Sequence, residues 1–122
     1  MTPIYVAGIA MTVFGRHPER SLEDLAGEAL IRALADAGCT APQIGVAYYS
    51  GMTNGTLQGQ ISIPGQVIFS KIGIEGIPVY NVENACASGS SAFNLAVQSL
   101  KAGTADVALA IGAEKMNIHD KA

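Results

Sequence analysis

Apolar segments with strand-like composition alternate with segments of helical periodicity along almost the whole sequence. The predicted strands cover residues 3–11, 44–50, 78–83 and 106–113. The predicted helices lie between them, at 22–37, 62–73 and 86–101. This β-α-β-α-β-α-β order favours a mainly parallel sheet, joined by right-handed crossovers and covered by helices. The predicted fold class is therefore α/β.

The first two predicted helices have recognisable boundaries. Ser21 is a good N-cap residue, and acidic residues occupy the turn that follows it. Apolar residues then recur at helical spacing as far as Ala37, and Gly38 is suited to end the helix. Pro64 opens the second helix. The polar, glycine-rich stretch 51–60 is predicted to be a loop, either a flexible connector or a segment that approaches a substrate or a partner subunit.

The composition is poor in charge for a chain of this length. The 122 residues allow at most one domain, and only 14% of them are charged, whereas 49% are hydrophobic. A small domain has a large surface for its volume, so more charge than this is expected. No apolar run approaches the ~18 residues of a membrane-spanning helix. We therefore expect the chain to cover apolar surface with a partner subunit, with a further part of its own domain, or with both.

The charge balance and the cysteines disfavour other classes of protein. The formal net charge is −3 and the basic residues do not cluster, which disfavours nucleic-acid binding. The two cysteines, Cys39 and Cys86, do not indicate a small disulfide scaffold. Cys39 is interpreted as a structural thiol. No secretory signal is recognisable at the N-terminus, so a reducing cytoplasm is the expected location.

A single cysteine stands where the third predicted strand ends and the third predicted helix begins. Small residues follow Cys86 and leave the N–H groups at the start of that helix open. A helix N-terminus stabilises negative charge and lowers the pKa of a nearby thiol. Cys86 is therefore a candidate nucleophile for carrying an acyl group. On spacing alone, a role as a small buried packing residue stays open.

The residues around this cysteine have other interpretations. By composition, residues 88–91 could form a phosphate-binding turn, but they lack the Gly-x-Gly-x-x-Gly and Walker patterns. Ser88 could act as a nucleophile, although no base is placed for it, so close packing of the helix is the favoured interpretation. Asn81 and Asn84 are expected to fix the strand end by local hydrogen bonds. Gly112 is expected to permit a turn.

Residues 81–93, with the sequence NVENACASGSSAF, resemble the nucleophile motif of the thiolase superfamily. Within that superfamily they are most similar to the sterol-carrier-protein-type, acetyl-CoA acetyltransferase-like thiolases of bacteria and archaea. Segments 4–16, 25–29 and 106–116 fit the layout of the family in the same order. The resemblance therefore covers essentially the whole chain.

The resemblance implies a thiolase-type acyl-CoA acyltransferase. Cys86 would be its catalytic nucleophile, and the backbone N–H of the same residue would be an oxyanion donor. Coenzyme A and acyl-CoA are the implied substrates, with a 3-oxoacyl-CoA either cleaved by thiolysis or formed by Claisen condensation. The resemblance implies neither a covalently bound cofactor nor a metal, and it identifies no residues for binding CoA. Met116 is expected to pack near the active site.

The resemblance also implies that residues 1–122 form the first part of a thiolase N-terminal domain. The fifth strand, the loop domain and the C-terminal half of the family are not found in this sequence. In the family, the C-terminal half carries a histidine that activates the nucleophile, and neither His17 nor His119 is assigned that role. Since an acid/base group contributes ~10²–10⁴-fold to rate, this chain is predicted to be close to inactive alone.

Several partners are implied in the same way. These are a second copy of the chain, the remaining part of the thiolase, and a DUF35 companion protein with a zinc ribbon and an OB-fold. Other functions remain open: a thiolase-like retro-aldolase, a ketoacyl synthase subunit, and a non-catalytic thiolase-like assembly module.

Overall fold

A three-stranded parallel sheet lies at the centre of the protein, in a computed structural model that describes residues 2–117. Its strands are β1 (Val46–Ser50), β2 (Val79–Val82) and β3 (Ala108–Gly112). The spatial order is β2-β1-β3, so β1 is the central strand. This arrangement confirms the predicted α/β class, its parallel sheet and three of the four predicted strands.

Residues 2–117 also form four α-helices and one 3₁₀ turn. They are α1 (Leu22–Ala37), the 3₁₀ turn (Ala41–Gln43), α2 (Asn54–Gln58), α3 (Pro64–Lys71) and α4 (Ser88–Lys101). Helix α1 and the 3₁₀ turn precede β1, and the other three helices connect the strands. The short helix α2 lies inside the stretch predicted to be a loop. Helix α4 begins two residues later than predicted, because the segment before it forms a tight turn. No helix within residues 2–117 has the length and apolarity needed to span a bilayer.

The boundaries of α1 agree with the prediction in atomic detail. Ser21 and Asp24 form a capping box, in which each side chain accepts a hydrogen bond from the backbone N–H of the other. At the other end, Gly38 adopts the left-handed conformation with φ of 66°.

The core has one cluster on each face of the sheet. Helices α1 and α3 cover one face, where Phe69 and Tyr49 are almost fully buried and meet edge to face at 6.2 Å between ring centroids. Helix α4 covers the other face, with Ala92 and Ala96 against Val46. Every residue of β1 is buried. A central strand covered on both sides is the arrangement expected of a parallel sheet.

The predicted strand at residues 3–11 is wrong. This segment forms no strand and lies along α1, where Gly8 comes so close that a Cβ on it would be 2.4 Å from the carbonyl oxygen of Ala33. The backbone N–H of Ile9 donates to Asp36, and Arg32 donates to the carbonyl oxygen of Met11. A cavity of about 610 Å³ separates the segment from β3. The segment therefore pairs with no strand, although its composition favours one.

Candidate active site

The three strands end at the same level, and a cleft lies in front of their carboxyl ends. Ser50, the last residue of β1, is in register with Val82 of β2 and Gly112 of β3. The cleft has a volume of about 440 Å³. It is lined by residues at or just after the strand ends. These are residues 50–52, residues 85, 86, 88 and 89, and residues 112–114 and 116. The carboxyl ends of parallel strands are the usual place for ligands in open α/β sheets.

Close approach of two strand ends shapes the floor of this cleft. A Cβ added at Gly112 would lie 2.6 Å from Oγ of Ser50. That hydroxyl donates to the carbonyl oxygen of Ile111 at 3.2 Å, and the N–H of Ala113 donates to the carbonyl oxygen of Ser50. A glycine is therefore needed at position 112 because the end of β3 lies so close to Ser50. The structure explains this glycine by close packing, whereas the sequence suggested a turn.

Cys86 lies in the cleft, and its side chain is exposed. It follows β2 and precedes α4 by two residues. The N-terminus of α4 has no side-chain cap. The N–H of Ser88 donates to the carbonyl oxygen of Ala85 at 3.2 Å, so the other N–H groups of the first turn are the ones left for a ligand or for solvent. The positive end of a helix thus lies beside the thiol. Within residues 2–117 the thiol is therefore not buried, which favours the nucleophile over the alternative of a buried packing cysteine.

The residues just before Cys86 form a tight, hydrogen-bonded turn. Ala85 has the left-handed conformation, with φ of 47°, and its N–H donates to Glu83 Oε2 at 2.5 Å. Asn84 donates from Nδ2 to Oγ of Ser91 at 3.0 Å, which links the turn to the first turns of α4. These contacts agree with the predicted role of Asn84 at the end of the strand.

Asn81 stabilises the strand from another direction. Its Oδ1 accepts from the N–H of Gly65 at 2.7 Å, and its Nδ2 donates to Gln66 at 2.7 Å. The side chain therefore fixes β2 to the start of α3, and it does not line the cleft.

Glu114 connects the wall of the cleft after β3 with the wall after β1. Its carboxylate accepts hydrogen bonds from the N–H groups of Met52 and Thr53 and from the hydroxyl of Thr53. It is the only charged side chain in the lining that residues 2–117 contribute to the cleft. Sequence analysis missed this contact because it joins residues more than 60 positions apart.

Two buried polar side chains, Tyr49 and Asn54, hydrogen-bond behind the same two walls. The hydroxyl of Tyr49 donates to Asn54 Oδ1, and Asn54 Nδ2 donates to the carbonyl oxygen of Ala113 at 3.1 Å. Burial, followed by the negative charge of Glu114, raises the pKa of Tyr49 above its ordinary value of 10.0. Tyr49 thus stays a neutral hydrogen-bond donor near neutral pH and is not suited to acid/base chemistry.

The other predicted residues are distributed as follows. Met116 lines the cleft, in agreement with the prediction. His17 does not line it and hydrogen-bonds through Nε2 with the carbonyl oxygen of Val13 at 2.7 Å. His119 lies outside the described residues. Cys39 is half-buried and lines the larger cavity between residues 4–12 and β3, which does not include Cys86. The described part of the lining thus contains a thiol without a histidine base.

Within residues 2–117, no three His, Cys, Asp or Glu side chains are grouped in a way that could hold a metal ion. The smaller cleft is the candidate active site, because it combines an accessible thiol, a helix N-terminus and the ends of three strands.

Comparison with known families assigns the chain to one of them. The family described as "Thiolase, N-terminal domain" matches residues 4–122. The chain belongs to the thiolase family. The match covers nearly all of the sequence, so the thiolase resemblance around Cys86 extends over the whole chain.

Curated relatives agree with this assignment. The benzoylsuccinyl-CoA thiolase subunit BbsB of Thauera aromatica is 36% identical over 118 residues, which is 95% of this chain and 29% of the relative. The acetyl-CoA acetyltransferase of Methanocaldococcus jannaschii is 38% identical over 95% of this chain and 29% of the relative. Human sterol carrier protein 2 is 38% identical, over 93% of the chain and 20% of the relative. The chain thus spans less than a third of the length of these thiolase relatives.

Solved structures share the fold. Xanthomonas campestris OleA, solved with bound lauric acid and lauroyl-CoA, superposes with a TM-score of 0.70 at 20% identity, over 84% of this chain and 31% of that chain. The 3-oxoacyl-[acyl-carrier-protein] synthase III of Aquifex aeolicus gives a TM-score of 0.68 at 23% identity, over 83% and 32%. At these identities the likeness establishes the thiolase-like fold.

Proposed function

We propose that this chain supplies the nucleophile-bearing part of a thiolase-type acyl-CoA acyltransferase, with Cys86 as the nucleophile. One observation carries the proposal: the thiol is exposed in a cleft at the carboxyl ends of three parallel strands, beside the uncapped N-terminus of α4. Membership of the thiolase family and similarity to thiolases from a bacterium and an archaeon support the same chemistry.

In the first half-reaction, the thiolate of Cys86 attacks the 3-oxo carbon of a 3-oxoacyl-CoA and forms a carbon–sulfur bond. The bond between C2 and C3 then breaks, and its electron pair stays on C2. That carbon takes up a proton and leaves as acetyl-CoA, while the shortened acyl group remains on Cys86. In the second half-reaction, the thiol of CoA loses its proton and attacks the thioester, and Cys86 leaves as a thiolate. The reverse sequence is a Claisen condensation.

The cleft provides part of what this reaction requires. Negative charge develops on the oxygen of the attacked carbonyl, and the backbone N–H of Cys86 is proposed as one donor to it. Such a contact contributes about 3 kcal/mol in other enzymes. The side chains of Met52 and Met116, also in the lining, offer apolar surface for the acyl group.

The remaining groups are proposed to come from polypeptide outside residues 2–117. Among the described residues, the cleft lining contains neither a histidine nor a second thiol to transfer protons to and from C2 and CoA. We therefore assign residues 1–122 to the first part of a thiolase N-terminal domain that is nearly inactive by itself. The other part of the thiolase, a second copy of the chain and a DUF35 companion are the proposed partners.

Activity of paired cysteine variants tests the proposal. The protein is purified natively, together with any polypeptide to which it is joined or bound, and CoA-dependent cleavage of acetoacetyl-CoA and longer 3-oxoacyl-CoA esters is followed. Cys86→Ser is expected to lower kcat on the order of 10³-fold or more, whereas the matched control Cys39→Ser retains activity. Retention of full activity by Cys86→Ser would exclude Cys86 as the nucleophile.

The same assay separates the alternatives. Cleavage of a CoA ester with release of an aldehyde or ketone would favour a retro-aldolase, and condensation that requires decarboxylation of a malonyl group would favour a ketoacyl synthase. An assembly module predicts no turnover and no effect of Cys86→Ser, with Cys86 unreactive toward iodoacetamide.

A further inference from the structure

Ser88 is a buried polar residue in an otherwise exposed segment. It is the first residue of α4 and only 6% exposed, although Cys86, Ala87, Gly89 and Ser90 around it are all exposed. A buried hydroxyl needs hydrogen-bond partners, because leaving it unpaired costs free energy. The partners that it has are therefore informative about its role.

Both partners of the Ser88 hydroxyl belong to the turn that precedes Cys86. Oγ accepts from the N–H of Asn84 at 2.8 Å and donates to the carbonyl oxygen of Ala85 at 2.7 Å. The two bonds use both the donor and one acceptor site of the hydroxyl. The hydroxyl thereby links the N–H of Asn84 to the carbonyl group of Ala85 and holds the turn between them.

The residue held in this way is strained. Ala85 has φ of 47°, a left-handed conformation that glycine adopts freely but that is unfavourable for alanine. Without support, an alanine at this place tends to move toward negative φ. A rotation at Ala85 would displace the next residue, Cys86, relative to the start of α4 and to the cleft.

We propose that Ser88 is a positioning residue for Cys86: its hydroxyl holds Ala85 in the left-handed conformation that keeps the thiol at the N-terminus of α4 and in the cleft. The inference deepens the proposed function and rests on it for its relevance to acyl transfer. It concerns the orientation of the thiol, which is measurable independently of acyl-CoA chemistry.

The test compares Ser88→Ala and Ser88→Thr with a matched control, Ser90→Ala, in the natively purified protein. Ser90 lies on the same turn of α4, is exposed and makes no side-chain hydrogen bond within the described residues. Two rates are measured in each variant: alkylation of Cys86 by iodoacetamide, located by peptide mass spectrometry, and CoA-dependent cleavage of acetoacetyl-CoA. Circular dichroism confirms that each variant is folded.

Loss of the two hydrogen bonds of the Ser88 hydroxyl is expected to slow alkylation and to lower kcat about three- to ten-fold in Ser88→Ala, with KM little changed. Ser88→Thr keeps a hydroxyl and is expected to restore most of both rates. Ser90→Ala is expected to match the unsubstituted protein. Equal alkylation rates in Ser88→Ala and Ser90→Ala would overturn the positioning role, whether or not acetoacetyl-CoA is cleaved. Absence of cleavage with a slowed alkylation would instead count against the proposed function alone.

A double-mutant cycle with Ala85→Gly tests the mechanism. Glycine adopts the left-handed conformation without strain, so residue 85 no longer needs the hydrogen bonds of the Ser88 hydroxyl to stay in that conformation. The effect of Ser88→Ala on alkylation is therefore expected to be smaller when glycine occupies position 85. An effect of the same size in both backgrounds would show that Ser88 does not act through Ala85. If the single variant Ser88→Ala does not fold, Ser88→Ala and Ser88→Thr are compared with each other in proteins that also carry Ala85→Gly.

Discussion

The carboxylate of Glu114 accepts a hydrogen bond from the backbone N–H of Thr53 at 3.1 Å, and this contact joins two walls of the cleft that contains Cys86. The two residues are 61 positions apart in the sequence. Both belong to irregular segments, one after β1 and one after β3. The cleft therefore depends on a single charged side chain for part of its shape.

Removal of this side chain is predicted to loosen the cleft. Glu114→Ala leaves the N–H groups of Met52 and Thr53 without their carboxylate partner, which is expected to lower the free energy of unfolding by on the order of 1 kcal/mol. Glu114→Gln retains one acceptor oxygen and should have a smaller effect. Urea unfolding measures both, with Glu19→Ala as an exposed control. Equal stability of Glu114→Ala and the control would show that the contact contributes nothing measurable.

Helix α3 approaches the sheet too closely at Gly65 for any side chain. A Cβ there would lie 2.7 Å from Cβ of Tyr49 and 2.8 Å from Oδ1 of Asn81. Gly65→Ala is therefore predicted to lower the free energy of unfolding by about 1–3 kcal/mol. Gly89→Ala is the comparison, because an added Cβ meets nothing within 4 Å and glycine is a poor helix residue. If the two substitutions change stability equally, close packing at Gly65 is not the cause.

The ion pair between α1 and α3 predicts a pH dependence of stability. Lys71 Nζ lies 2.8 Å from Glu23 Oε1, and this hydrogen bond lowers the pKa of Glu23 below its ordinary value of 4.5, against the opposing effect of burial. A carboxyl group whose pKa is lower in the folded state stabilises the fold above its unfolded-state pKa. That contribution is lost as the pH falls through the folded-state pKa.

Glu23→Gln is accordingly predicted to be less stable than the unsubstituted protein at neutral pH. The difference between the two should shrink as the pH falls below 4.5, because the carboxyl group of the unsubstituted protein then becomes protonated. Urea unfolding at several pH values measures this difference, and Glu75→Gln, at an exposed position, serves as the control. A difference that stayed constant between neutral and acidic pH would contradict the role of the ion pair.

The strands at the centre of the fold are predictable from sequence because their local pattern and their burial agree. Residues 46–50 form a short apolar run between turn signals, and the structure buries all five of them. Residues 3–11 show a similar pattern without a strand. A strand needs a neighbour to pair with, and this segment lies against α1 instead, with a cavity between it and β3. The sequence pattern contains no information about that separation.

The candidate site was predictable only in part. Cys86 stands out because the strand–helix junction is a local pattern, and the resemblance to thiolases covers the residues around it. The contributions of Glu114 and of the buried pair Tyr49 and Asn54 depend on which segments meet in space. The left-handed conformation of Ala85 has no signal in the sequence either, since alanine rarely adopts it.

The most direct measurement is the mass of Cys86 in the natively purified protein after brief incubation with a 3-oxoacyl-CoA in the absence of free CoA. We predict a mass increase equal to the acyl group that remains after loss of acetyl-CoA, located on the peptide that contains Cys86, and its removal when CoA is added. An unmodified Cys86, in protein that cleaves the substrate, would contradict the account.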